Sequence, residues 1–288
     1  MGKTAIITDS NCELPDEVIK EYNIGVLPIN VFIKGVDYGM TRDFDTYYKE
    51  LDASHTPPST TAIPPLKYQT CFESYYDEGY DDLIYIAISS TGSSTYANAF
   101  VARSWFNEAH INDERKMTIH LIDSLNYSIA YGYAAVLAAK VRAEGGSVGQ
   151  MIEAAKEWID SLEVCLTAFS LEHIRRSGRI GNAMATVGRA LGIRPVLKVV
   201  KGIFYLIKAV RGNDNAVASV VEYFQKTHEP GTDYVVLRGA SDLPALEIIK
   251  RLEKITGKPP ALYTYIGPLT AINIGPKMTG IGYMVKKA

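Results

Sequence analysis

Six consecutive apolar residues, Leu83-Ile84-Tyr85-Ile86-Ala87-Ile88, admit few folds. A short unbroken run rich in β-branched and aromatic side chains reads as a strand covered on both faces, the habit of parallel sheets flanked by helices. Five hydroxyls follow it, those of Ser89, Ser90, Thr91, Ser93 and Ser94, around Gly92. Thr95 to Ala109 then reads as a helix, with Tyr96, Phe100, Val101 and Trp105 as its apolar markers. A hydroxyl-rich turn therefore joins the carboxyl end of a strand to the amino end of a helix. Free N–H groups and the helix dipole favour an anion there, and open α/β sheets take their ligands at such ends. The same turn also reads as a helix cap at Ser93, Ser94 or Thr95, a task for one hydroxyl.

The rest of the first half repeats the unit. Thr4–Ile7 is a strand ending in Thr8-Asp9-Ser10-Asn11, whose Asp9 and Ser10 read as cap or turn formers; Leu14-Pro15 opens a helix. Ile24 to Ile33 is extended, with Pro28 marking an edge or a bend. Thr118–Ile122 is a strand that ends at Asp123-Ser124, and Ser128 to Glu144 is an alanine-rich helix closed by Gly145-Gly146. Ser147 and Gln150 have capping-box spacing and open a helix to about Ser161. These repeats predict a mainly parallel sheet with helices on both faces, as an α/β domain over residues 1–162. From about Glu163 the pattern changes. A hairpin around Lys201-Gly202, a helix capped by Asn213 and another from Leu243 predict an α+β domain over residues 163–288. The proline-rich loop Ser54–Pro65 stays extended, and reads either as a surface connection or as a rigid arm presenting Thr61.

Charge and motifs narrow the function classes. A formal net charge of −2 gives no basis for nucleic-acid binding. No apolar run is long enough to span a bilayer, and the first residues lack a signal-peptide core, so a cytoplasmic protein without stable membrane insertion is expected. The three cysteines are odd in number and far apart, which fits a reducing compartment. The five histidines have no ligand spacing, so neither a metal nor another cofactor is expected. Gly-x-x-x-x-Gly-Lys-Ser/Thr is absent. An anion-friendly turn without a recognisable acid, base or nucleophile suggests binding more than catalysis. Arg175, Arg176 and Arg179 around Gly178 read either as a phosphate clamp, which Arg211 joins if the domain folds back, or as a solvated helix end.

With these residues laid out, the chain resembles the DegV family of fatty-acid-binding proteins. The likeness runs through Thr8-Asp9-Ser10 with Leu14-Pro15, the Thr61 loop with Pro64, Ser89-Ser90 through Ser93 to Tyr96, and Ile122-Asp123-Ser124. It continues through Leu171-Glu172, Gly178-Arg179-Ile180, Arg194-Pro195, Val210-Arg211 and Gly275-Pro276. The resemblance implies two α/β domains holding a long-chain fatty acid. It also implies a separate fatty acid kinase subunit that phosphorylates the presented carboxylate. In that picture Thr61 and Ser93 hold the carboxylate, while Arg179 and Arg211 serve phosphoryl transfer. Ser94 and Asn273, which stand where the family carries glycine and histidine, complete the expected ligand set. The chain itself is then a lipid carrier and not an enzyme. Two rivals are a small-molecule enzyme acting at the Ser89–Ser94 turn and a carrier of another apolar ligand without a kinase.

Overall fold

The computed structural model describes residues 2–177 and 192–286. Four strands, β1 (Thr4–Asp9), β2 (Ile24–Leu27), β6 (Asp82–Ala87) and β7 (Thr118–Asp123), form an all-parallel sheet in the order β2-β1-β6-β7. The apolar run of β6 lies in its interior and is buried from Leu83 to Ile88, as a strand covered on both faces must be. The extended segment around Pro28 divides in two. Its first part is β2, the sheet edge; its second part, β3 (Asn30–Ile33), pairs with β4 (Val36–Asp37) and β5 (Ser59–Thr61) in a small separate sheet. Proline has no N–H for a ladder, and the chain turns away where that donor is missing.

A second sheet contains β8 (Leu162–Ala168), β9 (Ile193–Val200), β10 (Ile203–Arg211), β11 (Tyr234–Arg238), β12 (Leu262–Tyr265) and β13 (Met278–Met284). Their order is β10-β9-β8-β13-β11-β12, mixed in direction, so the last strand pairs between β8 and β11 near the middle. The hairpin at Lys201-Gly202 joins β9 to β10 as expected.

Ten α-helices are described: α1 (Asp16–Glu21), α2 (Phe44–Ala53), α3 (Pro65–Asp77), α4 (Thr95–Ala109), α5 (Ile129–Ala143), α6 (Val148–Ser161), α7 (Glu172–Ser177), α8 (Asn213–Thr227), α9 (Leu243–Thr256) and α10 (Pro268–Ile274). The capping box at Ser147 and Gln150 opens α6. Two local expectations differ. Gly212 is the N-cap of α8; Asn213 is its first residue and accepts a hydrogen bond from Arg194 Nε at 2.7 Å. In α4 the side chains of Phe100, Val101 and Trp105 face outward, and Thr95, Ala99, Ala102 and Phe106 form the buried face. Small residues permit close packing, so alanines occupy the inner face.

The central element is α5. It contacts β1 and β6 of the first sheet and β11 and β13 of the second. A helix apolar all round is one buried all round, and Ile129 to Val136 has no exposed residue. Close approach is built in at Gly132, where a Cβ would stand 2.3 Å from the carbonyl oxygen of Cys12.

Candidate functional site

In the sheet order β2-β1-β6-β7 the chain crosses from one side of β1 to the other, so the carboxyl ends of β1 and β6 flank a switch point, the usual ligand crevice of open α/β sheets. Asn11, just beyond β1, and Ile88 and Ser93, just beyond β6, line a chamber there. It encloses about 590 Å³, its open mouth included. Thr60, Thr61 and Ala62 form another side. They are held by the pairing of Asn30 with Thr61 and by the Asn98 amide, which donates to the Ile63 carbonyl at 2.8 Å. Leu269, Thr270 and Asn273 of α10 close the opposite side. The start of that helix is fixed by the buried hydroxyls of Tyr47 and Tyr48, which donate to the Pro268 and Ile266 carbonyls at 2.9 and 2.6 Å.

A second chamber of about 310 Å³ lies deeper. Its walls include Val164, Leu166, Val199, Leu237 and Met278 from the face of the second sheet. Tyr127, Phe204, Thr270 and Ile274 line both chambers, so the two adjoin. Phe204 and Tyr127 stack at this boundary, ring centroids 5.8 Å apart. Hydroxyls and amides thus cluster at the outer end, and hydrocarbon lines the inner end.

The expected site residues fall as follows. Thr61 and Ser93 both line the outer chamber; the Thr61 hydroxyl donates to Asn30 Oδ1 at 3.3 Å. Ser93 Oγ accepts the Thr95 N–H at 3.2 Å and donates to Thr95 Oγ1 at 2.8 Å. The backbone N–H groups of Ser93 and Ser94 have no partner among the described residues. Ser94 is the N-cap residue of α4, but its side chain makes no capping bond and it does not line the chamber. Asn273 lines the chamber from within α10, and its amide donates to the Leu269 carbonyl at 2.7 Å. Arg211 ends β10 on the surface, away from both chambers. Arg179 lies outside the described residues.

Beneath the chamber are two buried carboxyls of different environments. Asp9 accepts from the hydroxyls of Tyr131 (2.5 Å) and Tyr85 (3.1 Å) and from the N–H groups of Ile88 and Asn11. Burial raises its pKa against those bonds. Glu13 has left-handed backbone (φ +52°) and turns its carboxyl toward Ser128, whose hydroxyl donates to it. Burial pushes Glu13 up to about 7, opposed by hydrogen bonds from Ser128, Thr270 and the Gly267 N–H. Asn11 joins this cluster to the chamber wall by donating to Thr270 Oγ1 at 3.0 Å. Sequence reasoning did not find Glu13, Tyr127 or Phe204. Their partners lie far along the chain, and no local pattern marks them.

A sheet switch point with a polar mouth and an apolar interior is a candidate small-ligand site in a two-sheet α/β fold. The model of the DegV family, a family of uncharacterised proteins, matches residues 3–286, and the chain belongs to that family. A DegV domain-containing protein of Clostridium acetobutylicum is 28% identical over 288 residues, covering 99% of this chain and all of that one. Among solved structures, a stearic-acid-binding protein from Eubacterium ventriosum superposes with a TM-score of 0.85 at 22% identity, covering 100% of this chain and 99% of that one. The fatty-acid-binding DegV of Bacillus subtilis gives 0.82 at 22%, covering 99% and 100%. These likenesses establish the fold, mixed α/β with a parallel sheet and flanking helices.

Proposed function

We propose that this chain binds a long-chain fatty acid, with the tail in the inner chamber and the carboxylate in the outer one. The observation that carries the reading is the adjoining pair of chambers, hydrocarbon-walled within and hydroxyl- and amide-lined at the mouth. Relatives of the same fold described as fatty-acid-binding support it. Each buried methylene contributes about 0.8 kcal/mol, so the tail dominates affinity and the head group chiefly sets position. Thr61, Ser93 and Asn273 are the proposed side-chain contacts of the carboxylate; Ser94 belongs to the proposed set as the neighbour of Ser93 whose N–H has no partner among the described residues. Protein purified from a heterologous host is expected to yield a long-chain fatty acid on organic extraction and mass spectrometry. Empty, well-folded protein that also fails to bind added fatty acid saturably would sink the reading.

We further propose that the chain is a cytoplasmic carrier, without enzymatic activity or cofactor of its own, that presents the carboxylate to a separate fatty acid kinase subunit. Residues 1–162 and 163–288 are its proposed domains. Arg179 and Arg211 are the proposed phosphoryl-transfer residues, since guanidinium forks match phosphate oxygens. The exposed setting of Arg211 suits a group that meets a partner. Arg211→Ala is expected to keep its lipid and to lose acyl phosphate formation with a cognate kinase; a variant emptied of lipid would reassign the arginine.

A further inference from the structure

A ligand seated across both chambers must pass the Phe204–Tyr127 boundary, and the element that carries Phe204 is held in an unusual way. The tip of the β9–β10 hairpin reaches from the second sheet to the hydroxyl turn of the first. The Gly202 carbonyl accepts from the Thr91 hydroxyl at 3.4 Å and from the Tyr127 hydroxyl at 3.3 Å. Thr91 Oγ1 also lies 2.7 Å from Ser89 Oγ and 3.1 Å from the Tyr127 hydroxyl. The fit is flush: a Cβ at Gly202, where φ is +76°, would stand 2.3 Å from Thr91 Oγ1 and 2.5 Å from Ser89 Oγ.

The bonds to Gly202 are long, at the weak end of the hydrogen-bond range. The strand behind them is also lightly held. Among the described strands β10 is the edge of its sheet, with β9 as its neighbour, and alternate residues from Ile203 to Tyr205 are exposed. Its pairing register shifts between Leu206 and Lys208, which separates the tip from the base of the hairpin. Such a bulge interrupts a ladder and bends the strand locally.

We propose that the β9–β10 hairpin is the gate of the ligand cavity, latched by Thr91 and Tyr127 on the Gly202 carbonyl. Release of the latch lets the tip lift from the irregularity at Leu206–Lys208, draws Phe204 off Tyr127 and opens the inner chamber. The inference rests on the fatty-acid reading for its cargo. Three of the five hydroxyls after β6 then divide their labour: Ser93 faces the chamber, whereas Ser89 and Thr91 seat the hairpin.

Exchange kinetics test the gate. The full chain is loaded with cis-parinaric acid, a fluorescent long-chain fatty acid, and mixed in a stopped-flow instrument with phosphatidylcholine vesicles as the sink. Thr91→Val removes one latch bond and is expected to speed uptake and release alike, roughly 2–10-fold, with Kd changed less than about twofold. Gly202→Ala, whose Cβ would press on Thr91 Oγ1 and Ser89 Oγ, is expected to hold the tip off its seat and to speed release at least as much as Thr91→Val does. The latch is overturned if Gly202→Ala or Thr91→Val leaves both rates unchanged. A wild-type chain that does not bind the probe overturns the fatty-acid reading and the gate's cargo with it. Binding with unaltered exchange overturns the gate alone.

Discussion

Glu13 brings its carboxyl to a junction of Ser128, Thr270 and Gly267, residues from two later parts of the chain. Its ordinary value of 4.5 rises to about 7 on folding because burial outweighs those bonds. Below about pH 4.5 the folded and unfolded states are both protonated, and the group does not affect stability. Between 4.5 and 7 the folded state keeps a proton that the unfolded state has released, so stability falls as pH rises. Above about 7 the loss is complete, on the order of 3 kcal/mol for a shift of this size. Glu13→Gln keeps the shape and removes the titration. Urea unfolding at pH 5 and pH 8 is expected to show the variant gaining on the wild type by up to about 3 kcal/mol between them; parallel profiles would exclude Glu13 as the source. The residue also marks where sequence reading stops. Ser93 stands in a hydroxyl-rich turn that is visible along the chain, and Thr61 and Asn273 are reached through the resemblance to the DegV family. The environment of Glu13 is assembled from positions distant in sequence, and desolvation by distant residues leaves no local trace.

At the scale of elements, most strands and helices were legible because hydrophobic period and capping chemistry are local. The β6 run, the Ser147–Gln150 box and the Lys201-Gly202 hairpin stand where the residues placed them. The buried face of α4 was not legible. Large apolar residues mark a helix, but the space available against its neighbours decides which side goes in, and there Ala99 and Ala102 fit. Helix α2 and the small β4-β3-β5 sheet likewise come from a stretch without strong period. The same competition between propensity and space predicts the effect of Gly132→Ala. Alanine favours a helix interior over glycine by about 1 kcal/mol, which alone would stabilise α5. A Cβ at 2.3 Å from the Cys12 carbonyl oxygen forces backbone apart, and overpacking typically costs about 1–3 kcal/mol. The variant is expected to lower the denaturation midpoint, and a raised midpoint would show that the two segments can separate freely.

For the whole molecule, the two-sheet plan was legible from the change of pattern near Glu163, but the sharing of α5 between the sheets was not. An alanine-rich helix looks the same in sequence whether it covers one sheet or is clasped by two. The position of β13 has a consequence for how the molecule is made. Synthesis delivers every strand of the parallel sheet by Asp123, and α5 soon after, so that half can close while translation continues. β8 emerges long before β13, its partner, and β11 also waits for it on the other side. At ~5–20 residues per second, β8 holds an open edge for roughly 5–20 s on the ribosome. An open edge is a template for pairing with other chains, so the nascent second sheet is the natural client of a chaperone. Ribosome-stalled chains with β13 still in the exit tunnel are expected to be cut by protease beyond Leu162 while the first sheet resists; equal protection of both would mean that the sheet closes without its central strand.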